Sequence, residues 1–477
     1  MPTTDLLLRG GTVVDGSGGP RRIADVAIAG GRIEAVGRLD ARRASRVVDI
    51  DGLAIAPGFI DVHTHDDRLL LGEPAMTPKV SQGVTTVIVG NCGISLAPLG
   101  DTEPIPPINL VAEPGGERFA TFAGYLAALD ARPPAINCAA LVGHTTLRAV
   151  SMRDLGRAAD DGEIAAMQAR VREALAAGAI GVSTGTYYGP ANAATADEIR
   201  RVCEPLAGTT AIIASHIRDE ADGVVEAMHE AFAIARALGV RQVISHHKVI
   251  GTANFGRSRE TLAVFDEARR QGDVCLDCYP YAASSTILRG DAVRYAKRVL
   301  VAWSKPSPEA AGRWLDELAA ERGLATDALI DALQPAGAIY FSMDEPDVER
   351  ILQYAETMIG SDGLPHDAFP HPRLWGTFPR VLGHYARERG LFTLEAAVHK
   401  MTGLPARRFG LPERGLVLPG YRADLTVFDT ERIADMATFS HPTTPAAGIF
   451  GVWVNGIETW RDGAATGARA GQVIRRN

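Results

Sequence analysis

The residues of this chain with the means to do chemistry are histidines, one cysteine and one aspartate, each closing an apolar run. The run Gly58-Phe59-Ile60-Asp61-Val62-His63-Thr64-His65 ends in two histidines one residue apart. Side chains alternate across a strand, so His63 and His65 share one face. Two imidazoles on one face at the end of a buried strand make half of a metal site. The runs that follow supply the other half. Val87 to Asn91 is closed by Cys92, Ile212 to Ser215 by His216, Val243 to Ser245 by His246, His247 and Lys248, and Met358 to Ser361 by Asp362. Imidazole, thiolate and carboxylate are the ligands zinc takes. Singly, each has a plainer explanation. A strand-end histidine is usually a satisfied core or turn residue, Cys92 a small buried hydrophobe, and Asp362 before Gly363 a turn former. Their coincidence at five strand ends points instead to a metal centre. Neighbouring strand residues face opposite ways, so of His246 and His247 only one enters, and His246 is the expected ligand.

Eight apolar runs must position these groups: 55–62, 85–91, 138–143, 179–184, 211–215, 242–245, 274–279 and 357–361. Amphipathic stretches such as Asp161 to Ala177 and Gly223 to Leu238 lie between several of them. Strand and helix patterns alternating in this way predict an α/β fold, a (β/α)8 barrel with its active site at the C-terminal ends of the strands. The first ~57 residues read instead as short strands joined by Gly turns, and the chain returns to that pattern at 423–428 and 451–456. Neither end has enough strands for a stable sheet alone. Residues 1–57 and 405–477 are therefore expected to form one small β-sandwich, with the barrel over 58–404. Residues 285–340 exceed a simple connection and are expected to form an insertion, a lid over the barrel mouth.

The bulk composition narrows the class. Of 477 residues, 46% are apolar and 22% charged, as in soluble globular chains. A net charge of −8 argues against a nucleic-acid partner. No run approaches the ~20 apolar residues that span a bilayer, which argues against a membrane partner. Met1 to Asp5 lacks the basic segment and apolar core of a signal peptide. Five cysteines in so long a chain are no disulfide framework, and a reduced cytoplasmic setting is expected. Cys275 and Cys278 form a C-x-x-C inside a strand-like run, which reads as packing. No pattern specifies an oligomeric state.

The segments GFIDVHTH, GVTTVIVGNCGIS, GVSTGTYYGP, SHIRDE, ISHHK, CYPYAASST, MIGSDGLPHD, HPRLWGTFPRVLGHY and GLVLPGYRADLTVFD resemble the N-acyl-D-amino-acid deacylases (D-aminoacylases) of the amidohydrolase superfamily. The resemblance implies a zinc-dependent hydrolase that splits a small-molecule N-acyl-D-amino acid into a carboxylate and a free D-amino acid. It implies that Cys92, His216 and His246 hold one tight Zn2+. His63, His65 and Asp362 then complete a second, weaker site or act on substrate and water. Many superfamily members carry a carboxylated lysine on strand four, but Ala179 to Thr184 holds none. A metal-bound Cys92 thiolate would supply the missing negative charge. Asp362 is the implied general base and acid. Lys248, Tyr279, Ser285 and Arg373 match positions implied in binding the substrate carboxylate, and Tyr188 and His144, at strand ends, are candidates to line the pocket. Arg289 bears on specificity: facing the pocket it would favour acidic substrates, facing solvent apolar ones. A broad, apolar-preferring enzyme is expected. The alternatives are an N-acyl-D-glutamate or N-acyl-D-aspartate deacylase, a dipeptidase or cyclic-amide hydrolase, a thiol-nucleophile enzyme built on Cys92, and a non-catalytic scaffold.

Overall fold

Eight parallel strands carry the site: β1 (Phe59–Asp61), β2 (Val84–Val89), β3 (Asn137–Gly143), β4 (Gly181–Gly185), β5 (Ile212–His216), β6 (Arg241–Ile244), β7 (Val274–Cys278) and β8 (Thr357–Ile359). The structure, a computed structural model, describes residues 4–476. Met1 to Thr3, which head the segment read for a signal peptide, lie outside the described residues. Each strand pairs in parallel with the next in sequence, from β1 through β8. Helices on the outside and side chains on the inside bury both faces, which is why these strands read as unbroken apolar runs. Ile60, Ile88, Leu141, Ile180, Ile212, Val243, Cys275 and Met358, one from or next to each strand, meet in a single apolar cluster that fills the barrel. Cys275 is one of them, its thiol pushed up to about 12 by burial.

The run 55–62 serves two sheets. Ala54–Pro57 pairs antiparallel with Leu425–Phe428, and the chain then crosses into β1 at Gly58. An added Cβ at Gly58 would lie 2.1 Å from Thr85 Cγ2, so the crossing needs glycine. The two chain ends together build a nine-stranded sheet, with Thr4–Val13 and Arg22–Ala29 in one half and Leu425–Phe428 and Ile449–Val454 in the other. Leu8, Val26, Ile33, Ile55, Leu425 and Trp453 share one core, so the sheet closes over itself as a sandwich.

Between β7 and β8 the chain forms a second unit. Ser284–Ile287, Val299–Ser304 and Ala336–Tyr340 make a three-stranded antiparallel sheet. It packs with helices Leu315–Arg322 and Thr326–Leu333 around its own core of Leu288, Val301, Leu318, Leu329 and Ala338. Among the described residues no helix is long and apolar enough to cross a membrane.

Candidate metal centre and active site

The ligand-type residues converge at the C-terminal ends of β1, β2, β5, β6 and β8. Cys92 Sγ lies 3.2 Å from both His63 Nε2 and His246 Nε2. His246 Nε2 is 3.0 Å from His216 Nδ1. Asp362 Oδ1 is 3.2 Å from His65 Nε2 and 3.6 Å from His63 Nε2. All six residues are buried. Within His63, Cys92, His246 and Asp362 the ligand atoms all lie within 4.8 Å of one another, and the same holds within His216, Glu220 and His246. His216 Nε2 is buried without a hydrogen-bond partner. Imidazole, thiol and carboxylate donors packed this closely are a set that fits zinc.

The backbone is shaped for this convergence. Cys92 (φ 53°), His246 (φ 37°) and Asp362 (φ 49°) all adopt the left-handed conformation just past their strands. Non-glycine residues rarely sit there, and those that do gather at functional sites. The Cys92 turn also needs small neighbours. An added Cβ at Gly185 would lie 2.1 Å from Cys92 O, and one at Gly143 2.3 Å from Gly93 O. The sequence pattern places His246 at a strand end but does not reveal its positive φ. His247 turns away, its Nε2 2.8 Å from Thr261 Oγ1.

Electrostatics hold the ligands in binding form. Burial alone would push the Cys92 thiol up, but the His63 and His246 rings beside it bring it well below its usual range. Burial likewise opposes ionisation of Asp362, and Arg373 and His246 overcome it and hold the carboxyl well below the ordinary range. Two carboxylates that sequence reasoning missed orient the imidazoles. Asp277 Oδ1 is 3.3 Å from His63 Nδ1 and accepts the His246 backbone N–H at 2.8 Å. Glu220 Oε1 is 3.1 Å from His246 Nδ1 and accepts from Lys248 Nζ at 2.7 Å. Such outer partners fix the ring orientation of ligating histidines. Each left a signal: Asp277 is a charge inside an apolar run, and Glu220 follows His216 by four residues.

The cavity over this cluster is lined by His65, His216, His246, Lys248, Ser285 and Asp362, with Tyr187, Tyr188 and Tyr340 as aromatic walls. Ser285 Oγ is buried and has no hydrogen-bond partner. The Tyr188 hydroxyl pairs with Thr286 Oγ1 at 2.9 Å. Arg373 is fully buried beneath, its Nη1 2.9 Å from Asp362 Oδ2 and its Nη2 donating to Ser285 O at 3.0 Å. Its guanidinium covers the Tyr279 ring at 4.5 Å. The structure thus brings Lys248, Tyr279, Ser285, Arg373 and Tyr188 together around the cluster. It does not bring His144. That residue begins the helix His144–Ser151, and its Nε2 lies 3.3 Å from Glu198 Oε1, a carboxylate shared with Arg148. Arg289 stacks on the Tyr187 ring at 4.6 Å, and its Nε donates to Asp291 Oδ1 at 2.9 Å. A larger groove, between helices Val224–Leu238 and Ser258–Gln271, opens at the other end of the strands and has none of these ligands.

Comparison with known proteins agrees with this geometry. The pattern of the Amidohydrolase family matches residues 46–238 and 310–460. A D-aminoacylase of Alcaligenes xylosoxydans xylosoxydans is 59% identical over 472 residues, covering 99% of this chain and 98% of that one. An N-acyl-D-aspartate deacylase of the same organism is 55% identical, covering 98% of this chain and 95% of its own length. The crystal structure of N-acyl-D-glutamate deacylase from Bordetella bronchiseptica, in complex with zinc and a phosphonate inhibitor that mimics the tetrahedral intermediate, superposes with a TM-score of 0.95. It is 48% identical, and the match covers 99% of this chain and all of that one. The chain belongs to the amidohydrolase family, within its group of D-aminoacylases.

Proposed function

We propose that this protein is a zinc-dependent hydrolase of N-acyl-D-amino acids, releasing a carboxylate and a free D-amino acid. The observation that carries the proposal is that Cys92 Sγ and His216 Nδ1 lie 3.2 Å and 3.0 Å from one atom, His246 Nε2, with Asp362 beside Cys92 and His246, beneath one cavity. A zinc ion held by those three residues supplies Lewis-acid chemistry, activating water and polarising the acyl carbonyl. The protein's own groups do the rest. Asp362, fixed by Arg373 on one oxygen and facing His65 on the other, accepts a proton from water and passes it to the departing amine. The substrate carboxylate meets the unpartnered Ser285 hydroxyl and the Lys248 ammonium, with Arg373 and Tyr279 behind them. Fixing the carboxylate on one side and the acyl carbonyl on the other leaves the third substituent one direction, which selects the D configuration.

That substituent meets Leu110, Ile250, Ala292 and Leu364. Lys248 and Arg373 face the substrate's own carboxylate, and the remaining cation beside the cavity, Arg289, is paired with Asp291. A second carboxylate would be desolvated without a partner, so neutral apolar side chains are preferred. The unit spanning 285–340 serves as the lid that excludes water, with Thr286 held to Tyr188. The five free, buried cysteines suit a reduced cytoplasmic setting.

Zinc analysis of protein purified without chelators, paired with turnover of N-acetyl-D-methionine, N-acetyl-D-leucine, N-acetyl-D-glutamate and the L-enantiomers, tests this. Zinc should be present, chelation should abolish turnover and added zinc restore it, and the D-methionine and D-leucine derivatives should lead. Zinc-free active protein or an L preference would overturn the function. A glutamate preference would overturn only the side-chain assignment.

A further inference from the structure

The eight-stranded sheet does not close by a strand ladder. β1 and β8 are its two ends, each three residues long, and they are not paired with each other. The backbone joins across this seam lie just beyond the strands: Asp362 N donates to His63 O at 2.8 Å, and Thr64 bridges to Gly363. The ligands split across it, His63 and His65 on the β1 side and Asp362 on the β8 side.

Side chains close the gap. Lys79, on the short helix Thr77–Val80, is a lysine with no exposed surface. Its Nζ donates to Asp61 Oδ2 at 2.8 Å and to Ser361 Oγ at 2.9 Å, and lies 3.2 Å from Asp66 Oδ2. Asp61 Oδ1 accepts the Ser361 backbone N–H at 2.8 Å. Asp61 ends β1, two residues before His63, and Ser361 directly precedes Asp362. One ammonium therefore grips both sides of the seam immediately behind the ligands. A buried charge is costly unless paired and hydrogen-bonded, and an apolar contact would fill the same space more cheaply. What the ammonium adds is direction: two short charge-assisted bonds, one to each side of the seam, with the Asp66 carboxylate beside the charge.

We infer that Lys79, with Asp61 and Ser361, is a positioning clamp that sets the distance between His63 and His65 on one strand and Asp362 on the other. The inference rests on the proposed zinc hydrolase. Lys79 touches no substrate; it acts through the placement of Asp362. Displacing a reacting group by about 1 Å costs about 100-fold in rate, so the clamp matters to turnover more than to substrate binding.

The test uses zinc-loaded full-length protein with N-acetyl-D-methionine, comparing Ser361→Ala, Lys79→Met and the charge-matched double variant Lys79→Met/Asp61→Asn with wild type. Zinc content, thermal midpoint, kcat and KM are read for each. A clamp predicts kcat down about tenfold in Ser361→Ala and about 100-fold in the Lys79 variants, with KM within about twofold. It predicts one zinc retained, because Cys92, His216 and His246 lie off the seam. A merely structural role predicts a lower midpoint with kcat per folded, zinc-loaded molecule unchanged, and that result overturns the inference. If the Lys79 variants do not fold, Ser361→Ala alone decides by the same two outcomes. An inactive wild type that binds zinc would refute the proposed substrate instead.

Discussion

Arg289 stands behind one wall of this cavity. Its guanidinium lies over the ring of Tyr187, a cavity wall, and Tyr187 in turn stacks on His216 with ring centroids 5.0 Å apart. One more hydrogen bond, Nη1 to Tyr187 O at 3.2 Å, and the paired contacts to Asp291 fix its position. Asp291 thus neutralises the cation that lies over Tyr187. Replacing it by alanine should free Arg289 to answer a carboxylate across the Tyr187 ring. Asp291→Ala is expected to raise kcat/KM for N-acetyl-D-glutamate by about tenfold, the scale of one partly exposed ion pair, and to leave N-acetyl-D-methionine unchanged. Side-by-side kinetics on the two substrates check this. An unchanged ratio would mean that Arg289 has no route to the substrate. Nothing in the sequence pairs Arg289 with Asp291 or places it on Tyr187, because Tyr187 comes 102 residues earlier in the chain.

The strands show why much of the site was legible and part was not. A parallel barrel buries both strand faces, so its strands stand out as apolar runs, and a polar residue closing such a run faces the mouth. That logic located His63, Cys92, His216, His246 and Asp362. It misplaced His144. Gly143 ends β3 and His144 starts a helix at once, so the side chain turns from the mouth toward helix Ala196–Val202 and meets Glu198 there. Glu220 and Asp277 were missed because an outer partner is defined by what it touches, and an i,i+4 spacing or one charge in an apolar run only hints at that contact. His144 has its own consequence for stability. Burial pushes its pKa down, against the pull of Glu198, so the ring gives up its proton more readily in the fold than in the unfolded chain. The unfolded chain takes up a proton near pH 6.5 that the native state takes up only at lower pH. Stability from this residue is therefore full above about pH 6.5 and is lost as the pH falls, at up to about 1.4 kcal/mol per pH unit. His144→Gln should flatten the fall in thermal midpoint between pH 7 and 5 while leaving kcat unaltered. A variant as acid-labile as wild type would assign that fall to other groups.

At the scale of the whole molecule, one amide ties three parts of the chain together. Asn137 begins β3, at the barrel end away from the metal centre. Its Nδ2 donates to Thr85 O at 3.1 Å and to Asp424 Oδ2 at 3.1 Å. Its Oδ1 accepts from Asn455 Nδ2 at 2.8 Å and from the Gln472 backbone at 3.1 Å. Barrel, terminal sheet and C-terminal tail thus meet on one fully buried side chain, and Asp424 also holds Arg414 and the Asn455 backbone. The same tail continues along β3, where Ile474 N donates to Cys138 O at 2.7 Å. This is how segments more than 300 residues apart share one folding unit. Asn137→Ala would leave several buried polar groups without a partner, a loss of about 2–4 kcal/mol. For a chain of this size unfolding as one unit, that lowers the thermal midpoint by about 2–4 °C. Because the network lies at the opposite end of the strands from Cys92 and Asp362, kcat and KM at 25 °C should be those of wild type. Differential scanning calorimetry with parallel kinetics separates the outcomes. Loss of activity without a lower midpoint would show that the two ends of the barrel are coupled through something other than global stability.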